Sequence, residues 1–181
     1  VIINSFFKVI ESNKLMNSLY AKLYGELIKK HQLFETQLYN YVDNYETRFD
    51  IIEYVNPEDD YDLFCKQNKE KDNRVSCTSF IIELVKQNLI DTNKLTKYIN
   101  LFQSKIDDNK NIENQQSRLE ELTDNIYLLV TETKKELKEM GRFDSIQEWV
   151  INMTKLNIKE NVSISNRIKF KYMDIIDSWK K

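Results

Sequence analysis

The sequence predicts an all-α chain, an α-solenoid of stacked antiparallel helix pairs. Three observations carry that reading. Apolar residues recur at spacings of three and four along nearly the whole chain, the period of a helix rather than a strand. Only 2 glycines and 1 proline occur in 181 residues, too few for the tight turns and bulges of a sheet, where positive φ favours glycine. One stretch, residues 74–90, is apolar around most of its circumference, as a helix is when neighbours lie both before and behind it.

In chain order, Ile2, Ile3, Phe6, Phe7 and Ile10 mark a first helix. Leu15, Leu19, Leu23 and Leu27, beside Met16, Tyr20, Tyr24 and Ile28, form two adjacent rows on one face of a second, with Gly25 between them as a point of close packing. A third carries Phe34, Leu38, Tyr41, Val42, Tyr45, Phe49 and Ile52. Asn56-Pro57 followed by acids reads as the cap and first turn of a short helix to about Lys69. The charged run 66–74 then reads as a solvated connection into the central helix, whose rows are Phe80–Leu84 and Ile81–Val85–Leu89. Asp91-Thr92-Asn93 caps the next helix, bearing Leu95, Tyr98, Ile99, Phe102 and Ile106, and residues 107–114 read as a polar loop. Ser117 and Glu120 have the spacing of a capping box. They open a long helix through Leu119, Leu122, Ile126, Leu129, Val130 and Leu137, closed by Gly141 at C′. Asp144 or Ser145 starts a helix with Ile146, Trp149, Val150, Met153 and Leu156 inward. The last begins near Ser163 with Ile164, Ile168, Tyr172, Ile175 and Trp179 inward. Short links make neighbours antiparallel, and pairs of helices give a unit near forty residues, the length of a HEAT-type repeat. Periodicity is compatible with a stack or a globular bundle; the wide arc of the central helix favours the stack.

The length suits one domain, residues 1–181. The chain starts inside an apolar-periodic segment, as a fragment of a longer protein would. A net charge of −2 supplies no global attraction to nucleic acid. Cys65 and Cys77 have no metal spacing and are too few for a disulfide scaffold, which points to a reducing, cytoplasmic compartment. No apolar run is long enough to span a membrane.

Nothing in the sequence nominates an active site, a cofactor or a metal. The lone His31, at a helix end, has no nucleophile or orienting group assigned to it. Residues 107–111 alternate oxygen ligands as a calcium loop does, but Ile112 stands where that loop needs Gly and Arg118 where it needs Glu. Glu58, Asp59, Asp60 and Asp62 fit helix-start acids better than a cation site. Asn152-Met153-Thr154 and Asn161-Val162-Ser163 have the glycosylation spacing, without meaning in a cytosolic chain. From Lys155 onward bases outnumber acids. Arg167 and Lys171 lie four apart beside the apolar row, either a solvated face or a basic surface for a partner's acids or RNA phosphates.

Two stretches resemble the middle domain of eukaryotic translation initiation factor 4G. Residues 73–90, NRVSCTSFIIELVKQNLI, are similar to that domain's central helix, RxLGNxxFIGELFKxxML, keeping Phe80-Ile81, Glu83-Leu84, Lys86 and Leu89. Family glycines near Ser76 and Ile82 are missing, and the leading basic residue is displaced to Arg74. Residues 165–179, SNRIKFKYMDIIDSW, are similar to SSRIRFMLQDVLDLR, agreeing at Ser165, Arg167, Ile168, Phe170, Asp174 and Asp177. Residues 6–28 look like the early helix pair, with Tyr20-Ala21 at a family Tyr-Ala. The resemblance implies five HEAT-like pairs lacking the opening helix. It also implies a non-enzymatic scaffold that docks a DEAD-box RNA helicase of the initiation factor 4A type, with mRNA and other initiation factors as further partners. Phe80 and Glu83 match positions tied to helicase binding, although Phe80 equally suits the core. Arg167 and Lys169 match a terminal basic pair, and Arg74 and Lys171 complete the candidate contacts. Sister middle domains of splicing or decay factors, and a direct RNA-binding module, are the alternatives.

Overall fold

Helix-forming residues and two kinds of helix stop account for the architecture of the computed structural model, which describes residues 2–180, and side chains from residue 5 to 180. The side chains of Ile2 and Ile3, placed in the first helix above, lie outside the described residues, as does Lys181, one of the bases that follow Lys155. Among the described residues the chain has nine α-helices, two 3-10 turns and no strand. They group into two compact units, Val1–Asp91 and Thr92–Lys181.

The first unit contains α1 (Ile2–Ser12), α2 (Asn17–Lys30), α3 (Gln32–Asp43) and α4 (Tyr61–Lys86), with 3-10 turns at Lys14–Met16 and Glu46–Phe49. Both α1 and α2 pack on α4, and α3 on α2. The buried part of α4 runs from Ser76 to Val85 and includes Phe80, Ile81, Ile82 and Leu84. Three small polar residues there each take a different neighbour. Ser76 donates to the Ile10 carbonyl (2.6 Å) and its own carbonyl accepts from Asn17 Nδ2 (2.7 Å). Cys77 Sγ accepts from the Tyr41 hydroxyl at 2.9 Å, and Thr78 pairs with the Tyr45 hydroxyl at 2.6 Å.

Several expectations change here. The Asn56-Pro57 segment is a turn. The Asn56 side chain accepts from Glu58 N–H (3.1 Å) and its carbonyl from Asp59 N–H (2.9 Å), while Asp60 caps α4 by accepting from Leu63 N–H at 2.9 Å. The charged run 66–74 is not a connection but the interior of a continuous 26-residue helix. Lys, Glu and Gln are good helix formers without any core to face, and Lys66 and Glu70 add an i,i+4 pair at 4.0 Å. That helix stops at Lys86 rather than continuing to Ile90. Asn88 adopts φ 56°, and the Leu89 and Asn88 amides return to the Leu84 and Val85 carbonyls, each at 2.9 Å, a Schellman ending. The third helix stops at Asp43, and Phe49 reaches the core from a 3-10 turn.

The leucine row of α2 does not face inward. Leu15, Leu19 and Leu23 are exposed, and the buried positions are Asn17, Ala21, Tyr24 and Gly25. One reason is close approach. A Cβ added at Gly25 would stand 3.2 Å from Leu89 Cδ2, and Asn17 is tied to Ser76, so the side of α2 carrying these residues is the one that faces inward.

The second unit contains α5 (Asn93–Asn109), α6 (Gln116–Glu132), α7 (Lys134–Glu139), α8 (Phe143–Lys155) and α9 (Asn166–Lys180). Helix α6 packs on α5 and α9, and α8 packs on α9. Asp107 and Asp108 extend α5 instead of opening a loop. No capping box forms: α6 starts at Gln116 with no side-chain cap, and Glu120 turns to α9. The long helix breaks at Thr133, whose hydroxyl donates to the Leu129 carbonyl. Gly141 then takes φ 64°, with the Arg142 and Gly141 amides bonded to the Leu137 and Lys138 carbonyls, the C′ role its position predicts. Ile164, Ile168, Tyr172, Ile175 and Trp179 are all buried as predicted, while Trp149 and Leu156 are only half-buried. Among the described residues no helix is long and apolar enough to cross a membrane.

Candidate docking surfaces

In the first unit the predicted contact residues of α4 fall into three environments. Phe80 is fully buried, edge-on to Tyr41 with centroids 6.0 Å apart, so it holds α4 in the core. Glu83 is half-buried and pairs with Lys86 at 3.2 Å. Arg74 is partly buried at the margin of a cleft of 190 Å³ that Glu11, Arg48, Glu70 and Asn73 also line.

Beneath that cleft lies a chain of polar contacts that the sequence reading missed. Arg48 pairs with Glu11 at 2.6 Å and stacks over the Tyr41 ring at 5.1 Å, and Tyr41 reaches Cys77. Glu11 and Arg48 are 37 residues apart, and nothing in helical spacing links them. Burial pushes the Cys77 thiol up to about 11, and burial drives the Tyr41 phenol well above its usual range. Buried and hydrogen-bonded to Tyr41, this thiol is part of the core. Cys65 is exposed. His31 is exposed at the single-residue joint between α2 and α3. Among the described residues no cluster of three His, Cys, Asp or Glu is placed to hold a metal.

In the second unit the basic residues of α9 are engaged by acids of α6. Arg167 reaches Glu120 and Asp124, each at 3.3 Å, and Lys171 reaches Asp124 at 3.4 Å and lies 4.8 Å over the Tyr127 ring. Glu120 also accepts from Ser165 Oγ at 2.8 Å. Lys169 donates to the Leu156 carbonyl at 2.9 Å. The three bases therefore brace α9 against its own unit. The acids that Arg167 reaches lie 43 and 47 residues away, beyond what a local pattern reveals.

The outward face of α9 is formed instead by Phe170, 62% exposed, with Met173, Asp174 and Asp177 at helical spacing. Asp177 pairs with Lys180 at 2.8 Å. An exposed aromatic and a methionine thus stand beside two carboxylates on this face. Asn161, in one glycosylation spacing, is buried and donates to the Asn157 carbonyl at 2.9 Å, so that amide is committed. No protein-family model, curated protein or solved structure matches the chain.

Proposed function

We propose that the chain is a non-catalytic scaffold that docks a DEAD-box RNA helicase of the initiation factor 4A type during translation initiation. The observation that carries the reading is the outer face of α9. Three positions at which the chain resembles the initiation factor 4G middle domain, Phe170, Asp174 and Asp177, are exposed on it rather than spent on the core. Phe170 would anchor in an apolar notch of the partner, and the two aspartates would meet a basic rim. The finer fold reading, HEAT-like pairs in series, draws support from consecutive helices that pack together, α2 with α3, α5 with α6 and α8 with α9.

The scaffold would act by differential binding. If it prefers one arrangement of the helicase lobes tenfold over another, it shifts their equilibrium by about 1.4 kcal/mol and alters turnover without supplying a reacting group. Direct RNA binding has less support, since Arg167 and Lys171 already face Glu120 and Asp124.

The test is stimulation of the ATPase of a 4A-type helicase by the purified chain. Stimulation that falls about tenfold in Phe170→Ala/Met173→Ala, with unchanged helicity and melting, supports the reading. A wild-type chain that neither binds nor stimulates the helicase overturns it.

A further inference from the structure

The outward face of α2 carries exposed leucines that neither the core nor the proposed function uses. Leu15 is 94% exposed, Leu19 55% and Leu23 45%. Leu19 and Leu23 are one turn apart and point away from Ala21, Tyr24 and Gly25, which are buried. Leu15 continues the line from the preceding 3-10 turn, where Met16 is 43% exposed. Leucines exposed along one side of a helix and its leading turn are costly unless something covers them.

The charges around this ridge select the occupant. Within residues 14–30, Lys14, Lys22, Lys29 and Lys30 are exposed against one acid, Glu26, which Lys29 holds at 2.6 Å. Two copies of the ridge laid together would oppose lysine with lysine, so self-association is disfavoured. A bilayer surface rewards a broad apolar face with aromatics, whereas this ridge is narrow and purely aliphatic. A single row at four-residue spacing fits the groove of another helix.

We propose that the Leu15–Leu19–Leu23 ridge of α2 receives an amphipathic helix of another protein, one with an apolar stripe flanked by glutamates or aspartates. The leucines supply contact area, and the lysines set partner choice and orientation, as flanking charges do in paired helices. This interaction is independent of the helicase reading, because it uses different residues on a different helix.

Three labelled probes test it by fluorescence anisotropy against the whole chain: a peptide of about 20 residues with a leucine stripe flanked by glutamates, the same peptide with lysines in place of the glutamates, and anionic phospholipid vesicles. The acidic peptide is expected to bind at least about tenfold more tightly than the basic one and to weaken as salt rises. Leu19→Asp/Leu23→Asp should abolish that binding, and Lys22→Glu/Lys30→Glu should reverse the peptide preference. Both pairs of sites are exposed, so circular dichroism and melting should stay unchanged. Equal affinity for both peptides, no binding of the acidic one, retention in the leucine variant, vesicle binding alone, or a dimer by sedimentation that the leucine variant dissolves would each overturn the proposal.

Discussion

Helix α9 buries a row of large apolar side chains. Ile168, Tyr172, Ile175 and Trp179 fill the second unit, and the Trp179 indole donates to the Val130 carbonyl at 3.2 Å. Helix α2 is seated differently in the first unit. It turns leucines to solvent and inserts Asn17, Ala21, Tyr24 and Gly25. The two helices are held by different physics. Volume and dispersion seat α9; a close approach at Gly25 and directed hydrogen bonds seat α2. The Tyr24 hydroxyl, for instance, donates to the Phe34 carbonyl at 3.0 Å. The more hydrophobic side of a helix is thus not always the inner one: α2 approaches closely at Gly25, and the large side chain on that face, Tyr24, enters with its hydroxyl hydrogen-bonded.

Substitutions can break or sharpen this contrast. The largest loss should follow Trp179→Ala, about 3–5 kcal/mol in denaturant unfolding, since it leaves a cavity beside Phe143 and frees the Val130 carbonyl. A cost under about 1 kcal/mol would deny that volume seats α9. Alkaline pH should next weaken the first unit. The Cys77 pKa rises from 9.0 to about 11 on burial. The folded state therefore favours the protonated thiol, and this stability is present below about pH 9 and lost as pH climbs through about 11. Up to roughly 2–3 kcal/mol is at stake, with Tyr24, raised to about 12 by burial, adding to the fall at higher pH. Melting of Cys77→Ala should be lower at neutral pH but flatter over that window; an equal slope would remove Cys77 from the account.

Gly25→Leu should cost about 1–3 kcal/mol by crowding Leu89. Gly25→Ala should stay within about 1 kcal/mol, because half-buried Leu89 can shift and alanine favours the helix. The smallest effects belong to the surface. Arg167→Ala should cost less than about 1 kcal/mol, as its guanidinium is largely solvated, and Leu19→Ala should lie within about 0.5 kcal/mol. A large loss at Leu19 would mean that the exposed ridge is structural.

The all-α class, the inner row of α9 and the turn at Gly141 were legible because each depends on local spacing or on one residue's backbone freedom. So was close packing at Gly25, although the face it fixes was not. Two competing apolar rows on α2 look equivalent until the spacing to α4 is known. The run at 66–74 was misread because polarity separates solvent from core, not loop from helix. Glu120 has the spacing of a capping group, yet three donors on other residues outbid the amide it was expected to reach: Gln116, Ser165 and Arg167. At the candidate site, sequence could place Arg167 and Lys171 on one helix but could not see Asp124 between them. Nor could it tell that Phe80 points inward and Phe170 outward.

Helix α4 is a single hydrogen-bonded rod of about 39 Å with two unequal halves, since none of its residues before Ser76 is buried. Its leading turns carry only half-buried and exposed side chains, such as Phe64 against Tyr54, and so have less to hold them. Deuterium should therefore replace their amide protons well before it reaches those between Ser76 and Val85, so that one continuous helix would report two separate lifetimes.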